Sequence, residues 1–167
     1  MEDNDLSQAK TKSGNGASGM AADWHYRRGD IYLADLGMPD GSVQGGVRPI
    51  IIVQNNTANR HAPTVTYVPL TSRLKKSRQP THYLLRKASG LAKPSMVQAE
   101  QLGTRNKTCI LRYIGRVDAR QMRHIDLAII VHLFLEKYFL TEEDRKAFRI
   151  DRTCRVWQKG HHRRFGR

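Results

Sequence analysis

A small β-barrel with helical additions accounts best for this chain, and three observations carry that reading. Short runs of β-branched and aromatic residues recur between Asp30 and Arg116, separated by clusters of Gly, Pro, Asn and Asp. The run Val47 to Val53 ends in Ile50-Ile51-Ile52-Val53, the pattern of a buried strand. Helical spacing emerges strongly only beyond Asp118.

Residues 1 to 22 are rich in Ser, Gly, Asn, Lys and Ala. Such a segment cannot bury enough apolar surface to offset its ordering entropy, so it is expected to be disordered. Order begins near Trp24. Asp30 to Leu36 mixes β-formers with polar residues and reads as the first strand. The loop Gly37 to Gly46 follows, then the strand Val47 to Val53. Arg48 precedes Pro49, and a proline pushes the residue before it into extended geometry. A permanently charged guanidinium held on a strand beside a glycine loop suits a phosphate or a carboxylate. An ordinary surface arginine on a hairpin explains the stretch equally well.

Asn55 to Pro63 is polar and turn-rich, and Thr64 to Leu70 reads as a third strand in which Pro69 marks an edge or bulge. A basic loop from Thr71 to Pro80 carries Arg73, Lys75, Lys76 and Arg78. Further strands are expected at Thr81 to Leu85, Ser95 to Ala99 and Cys109 to Arg116. Asp118 is a helix N-cap, and Met122, Ile125, Ile129 and Leu133 follow at helical spacing, giving an amphipathic helix to about Tyr138. Thr141-Glu142-Glu143-Asp144 suggests a second cap and a short helix to about Ile150. Arg152 to Arg167 is a basic tail. The layout is an extension at 1–22, a barrel domain at 23–138, and a short helix with tail at 139–167.

The chain has 167 residues, a net charge of +14 and a pI near 10.3, a balance that points to a polyanionic partner, nucleic acid before membrane or acidic protein. The longest apolar run, Leu127 to Leu135, is broken by His132, so no bilayer-spanning segment is expected. The polar N-terminus lacks the apolar core of a signal peptide. Cys109 and Cys154 lie far apart with no Cys or His at ligand spacing, which argues for a reducing, cytoplasmic setting without disulfide or structural zinc. No cofactor is expected.

The order of these parts resembles the MazF/PemK family of toxin endoribonucleases. Arg28-Gly29-Asp30-Ile31-Tyr32 matches the family's opening strand, and Ala34-Asp35-Leu36 continues it. Gly41-Ser42 and Gln44-Gly45-Gly46-Val47-Arg48-Pro49 match its signature loop and second strand. Gln54-Asn55, Asn59-Arg60, Pro63-Thr64-Val65, Leu70-Thr71-Ser72, Pro80-Thr81-His82 and Glu100-Gln101-Leu102 follow in register. The resemblance implies an SH3-like β-barrel of the MazF/CcdB kind, a homodimer, metal-independent cleavage of single-stranded RNA (an mRNA interferase), and a cognate antitoxin. Carried over by position, the catalytic pair is Arg48 and Thr71. Around it, Arg28, Ser42, Gln44, Ser72, Arg73, Lys75, Lys76, Arg78, His82 and Gln101 are candidate RNA contacts. One position departs from the family: Val43 stands where a glutamate is common, which leaves the general base unassigned.

Metal-free RNA cleavage uses the ribose 2′-hydroxyl against its own phosphate, so the protein must move protons and stabilise charge on phosphoryl oxygens. Arg48 suits charge stabilisation and cannot act as a base. His82, His61 and Glu100 are the proton-transfer candidates, with His82 the better of the histidines and better still as an RNA contact. Glu100 more naturally holds the loop or reads a base edge. Two other readings compete. A CcdB-like gyrase poison shares the barrel, but nothing after Leu135 resembles its Trp-Gly-Ile ending. A non-catalytic nucleic-acid-binding barrel fits the loss of the carboxylate at Val43.

Deleting residues 1–22 is expected to leave both the thermal unfolding midpoint and RNA cleavage at parental values. Loss of cooperative unfolding in the trimmed protein would place folding contacts in that segment.

Overall fold

The computed structural model describes residues 25–74, 79–86 and 90–143. The expected N-terminal extension, Lys75, Lys76, Arg78, Cys154, and nearly all of the second helix and basic tail lie outside the described residues. Strands β1 (Asp30–Asp35), β2 (Val47–Ile52) and β3 (Thr64–Thr71) form an antiparallel meander. Strands β4 (His82–Leu85), β5 (Ser95–Gln98), β6 (Gly103–Asn106) and β7 (Ile110–Arg116) complete a sheet ordered β4-β5-β3-β2-β1-β7, with β6 also paired to β3.

The expected β architecture is present, with one qualification: the sheet is not closed into a ring, and β4 and β7 end it. The four-residue β4 spends all its pairs on β5, and β3 divides its length between β6 and β5.

The Ile50–Ile52 end of β2 is buried on both faces, which is why it is continuously apolar rather than alternating. Ile51 joins Ile31, Val53, Val68, Leu70, Val97 and Ile125 in one cluster, capped by helix α2 (Ala119–His132). Ile50 and Ile52 face the other way, among Tyr32, Ala34, Leu36, Val65, Tyr67 and Ile110. Side chains alternate along a strand, so consecutive isoleucines feed opposite cores.

Helix α2 starts as the sequence suggests. Gln121 N–H donates to Asp118 Oδ1 at 2.7 Å, and the Asp118 N–H donates to Gln121 Oε1 at 3.0 Å, a reciprocal capping box. It ends earlier than Tyr138. Phe134 adopts φ 57°, Leu135 N–H reaches Ile130 O at 2.9 Å and Phe134 N–H reaches Val131 O at 3.1 Å. These bonds form a Schellman ending built without glycine, so no residue signalled it. A separate turn, α3 (Glu136–Phe139), follows. Among the described residues no helix is long and apolar enough to cross a membrane.

Three other expectations change. Asn55 to Pro63 contains a helix, α1 (Asn56–His61), because the Asn55 side chain accepts from Ala58 N–H at 2.8 Å. Strand β6 has no β-forming pattern; it exists because Thr64–Tyr67 of β3 offers it an edge. Pro69 is neither edge nor bulge but lies opposite Ile50 inside β3. It falls between the last pair with β6, Tyr67↔Gly103, and the first with β5, Leu70↔Val97, where its missing N–H costs no ladder bond.

Asp118→Ala is expected to destabilise the protein by about 1 kcal/mol through loss of the cap. Urea denaturation should show a lower midpoint with an unchanged slope.

Candidate active site

The site grows from the β1–β2 loop. Its base is closed by Leu36 N–H to Gly46 O at 3.2 Å and Gly46 N–H to Gly37 O at 2.6 Å. The adjacent glycines serve different needs. Gly46 has φ +73°, a left-handed conformation that a side chain disfavours. Gly45 needs space: a Cβ there would sit 2.4 Å from the backbone nitrogen of Pro39. At the tip Val43 N–H donates to Asp40 O at 2.8 Å, and the Val43 side chain stands exposed.

The loop folds back over Arg48. Arg48 Nε donates to Gly45 O at 2.8 Å and Nη1 donates to Gln44 Oε1. Burial first, then the charge of Arg73, moves the guanidinium below its ordinary pKa, while Tyr67 acts in the opposite direction. On the neighbouring strand, Ile50 faces Pro69; extending that antiparallel register two residues back along β2 and two on along β3 sets Arg48 and Thr71 on one face of the sheet. Thr71 Oγ1 accepts from Arg73 N–H at 3.1 Å, and Ser72 between them is exposed. Arg48, Thr71, Ser72 and Arg73 therefore converge where β2 begins and β3 ends.

Gln44 and Gln101 belong to the same cluster, but their amides are occupied. Gln44 N–H donates to Gln101 Oε1 at 3.1 Å, and Gln101 Nε2 donates to Ser42 O at 3.2 Å. Gln101 ends a single 3-10 turn, Ala99–Gln101, that links β5 to β6. Beside it, Glu100 Oε1 lies 2.6 Å from His82 Nε2, and the His82 side chain is only 4 % exposed. That burial limits His82 as a direct RNA contact and makes it a brace for the turn.

Arg28 and His61 stand apart. Arg28 Nη2 pairs with Asp126 of α2, and its N–H donates to Asn56 Oδ1 at 2.8 Å, near the end of β2 remote from Arg48. His61 closes α1 on that same side and is exposed. The opening motif around Asp30 is structural: this buried carboxylate accepts from Arg27 N–H, Tyr32 OH and Arg116 Nε at 2.9, 3.2 and 2.8 Å.

Tyr67 and Arg105 escaped the sequence reading. Burial first raises the Tyr67 phenol above its ordinary pKa, opposed by its hydrogen bond with Arg105 and by Arg48. Arg105 also donates to Leu36 O at 3.0 Å, steadying the start of the loop. The available signal was alternation along β3, which places Tyr67 on the face of Thr71. Among the described residues no three His, Cys, Asp or Glu gather as metal ligands.

Fold and site together define a small, mainly β protein with an open antiparallel sheet and an arginine held by its own loop at the start of β2. Residues 27–133 match the family of PemK-like, MazF-like toxins of type II toxin–antitoxin systems, and the chain belongs to that family. It is 39 % identical over 110 residues to the endoribonuclease MazF of Staphylococcus saprophyticus, covering 65 % of this chain and 92 % of that protein. A mycobacterial endoribonuclease solved in complex with its cognate antitoxin aligns with TM-score 0.57 and 31 % identity, over 66 % of this chain and 96 % of that one. MazF of Deinococcus radiodurans shares the fold at TM-score 0.60 and 18 % identity, over 67 % of this chain and 99 % of its own. The activity class that follows is a toxin endoribonuclease.

Gly45→Ala is expected to push the loop off Pro39 and slow RNA cleavage by about 100-fold, since small misplacements of a positioned group carry that cost. Circular dichroism should show an unchanged fold; parental cleavage would mean the close approach has no bearing on the site.

Proposed function

We propose that this chain cuts single-stranded mRNA by attack of a ribose 2′-hydroxyl on the adjacent phosphate, without a metal or cofactor. The O2′–P bond forms as the P–O5′ bond breaks, leaving a 2′,3′-cyclic phosphate and a 5′-hydroxyl, with water taking the 2′ proton and supplying one to the 5′ oxygen. The observation that carries this reading is Arg48, held by its own loop on the same face as Thr71. Its guanidinium keeps N–H groups beyond those spent on Gln44 and Gly45, and these can meet the oxygens of a phosphate as it gains charge. The Thr71 hydroxyl can donate to the same group. Arg73 adds positive charge beside them, which favours the pentacoordinate, more highly charged transition state over the ground state. Val43 brings no carboxylate to the loop, so rate enhancement rests chiefly on positioning and charge stabilisation.

The catalytic unit in this reading is 23–138, with the basic loop carrying Lys75, Lys76 and Arg78 tracking the RNA backbone at little sequence discrimination. It works in the cytoplasm as a homodimer. The partner that silences it is an antitoxin with an acidic binding segment, complementary to the charge around Arg48 and Arg73. The antitoxin complex of the mycobacterial relative supports that partner class.

Arg48→Ala is expected to lower single-turnover cleavage of a long single-stranded RNA by about 100- to 1,000-fold with the fold intact. Arg48→Lys should recover only part, because an ammonium keeps charge but not the planar fork. Thr71→Ala should cost less, Arg73→Ala should flatten the salt dependence of binding, and EDTA should leave the parent rate unchanged. A folded Arg48→Ala protein that cuts at the parental rate would overturn this mechanism.

A further inference from the structure

Gln101 lies on a different segment from the catalytic pair, yet it is the residue through which the rest of the fold grips the signature loop. Its side-chain amide meets the loop as a strand would: the carbonyl accepts from Gln44 N–H at 3.1 Å and the NH2 donates to Ser42 O at 3.2 Å. One planar amide thus satisfies backbone groups on both sides of Val43. Gln44, whose backbone is fixed by this bond, is the residue whose side chain accepts from Arg48 Nη1. The order of contacts is therefore Gln101 to loop backbone, Gln44 side chain to guanidinium.

The anchor itself is rigid. Gln101 sits in the Ala99–Gln101 turn, where Ala99 is fully buried and its N–H donates to Thr81 O at 3.0 Å. Glu100 in the same turn is braced by the nearly buried His82 at 2.6 Å. The loop tip, by contrast, is exposed at Gly41, Ser42 and Val43 and has little apolar burial of its own to hold it. An exposed loop of this kind samples other conformations unless its backbone is paired elsewhere.

We propose that Gln101 is a positioning residue: it clamps the Ser42–Gln44 backbone and thereby sets the orientation of Arg48. This rests on the ribonuclease reading of the same site. Both ends of the Gln101 amide engage the loop backbone, so its effect on cleavage is assigned to the guanidinium, and affinity for an uncleavable RNA separates this role from direct contact.

The test compares the full-length parent with Gln101→Met, which keeps the length of the side chain and removes both bonds, and with Gln101→Glu, which keeps only the acceptor for Gln44 N–H. In Gln101→Met, hydrogen exchange at the Gln44 amide should accelerate by about 10-fold or more. Cleavage of a long single-stranded RNA under single-turnover, saturating conditions should fall by about 10- to 100-fold. Affinity for a fully 2′-O-methylated copy of that RNA, which cannot be cut, should stay within about threefold. Gln101→Glu should fall between the two in exchange and rate. Adding Gln44→Ala to Gln101→Met should slow cleavage by less than the product of the single effects, because both act on one guanidinium. Unchanged Gln44 exchange in folded Gln101→Met would overturn the proposal. A rate loss matched by weaker binding of the methylated RNA, and multiplicative with Gln44→Ala, would overturn it in favour of direct RNA contact. If Gln101→Met fails to fold, the same comparisons are read on Gln101→Glu. If the parent leaves RNA uncut, the ribonuclease reading fails, and amide exchange alone decides the clamp.

Discussion

The burial of β2 on both faces is the constraint on which the site depends. Ile50 and Ile52 enter one core while Ile51 enters the other, so both faces of this end of β2 are committed to packing. Pairing with β1 through Tyr32↔Ile50 and with β3 through Ile50↔Pro69 then fixes what precedes the isoleucines. Extended by two residues, that register puts Arg48 and Thr71 on one face of the sheet. The strand is fixed by apolar packing, and the guanidinium it carries is held by the carbonyls of Gly45 and of the Gln44 side chain.

The loop above Arg48 is ordered by backbone chemistry. Gly45 passes Pro39 more closely than any side chain permits, and Gly46 turns the chain back with a positive φ. The bonds from Gly45 O and Gln44 Oε1 hold the guanidinium from one side only. Val43 at the tip is exposed, its N–H bonded to Asp40 O. The arrangement favours an arginine that is oriented but not neutralised.

Basic residues that look alike in a charge count do different work. Arg116 satisfies the buried Asp30, Arg28 pairs with Asp126, and Arg105 supports Leu36 and Tyr67. Arg48 and Arg73 face one another closely enough for the charge of Arg73 to depress the pKa of Arg48. The pairing of Arg28 with Asp126 also places it beside an apolar groove of about 470 Å3 lined by Val53, Leu102, Ile129 and Leu135, at the far end of β2 from the cleft.

Local signals sufficed for much of this protein. The isoleucine run marked β2, Asp118 with Gln121 marked the start of α2, and the Gly-Gly-Val-Arg-Pro stretch marked Arg48 on an extended segment beside a loop. Each is a short-range effect: side-chain period, a cap three residues away, the steric reach of a proline. What needed the tertiary structure were matters of partnership. Strand β6 is a strand only because β3 offers it an edge, the end of α2 is set by backbone bonds around Phe134, and β3 passes its outer edge from β6 to β5 partway along. The same holds at the site. Arg48 and Thr71 could be named from sequence motifs, but Gln101 as the loop's clamp, His82 as a buried brace and Arg28 as a structural ion pair depend on which backbone or carboxylate lies within about 3 Å, a distance no linear pattern encodes.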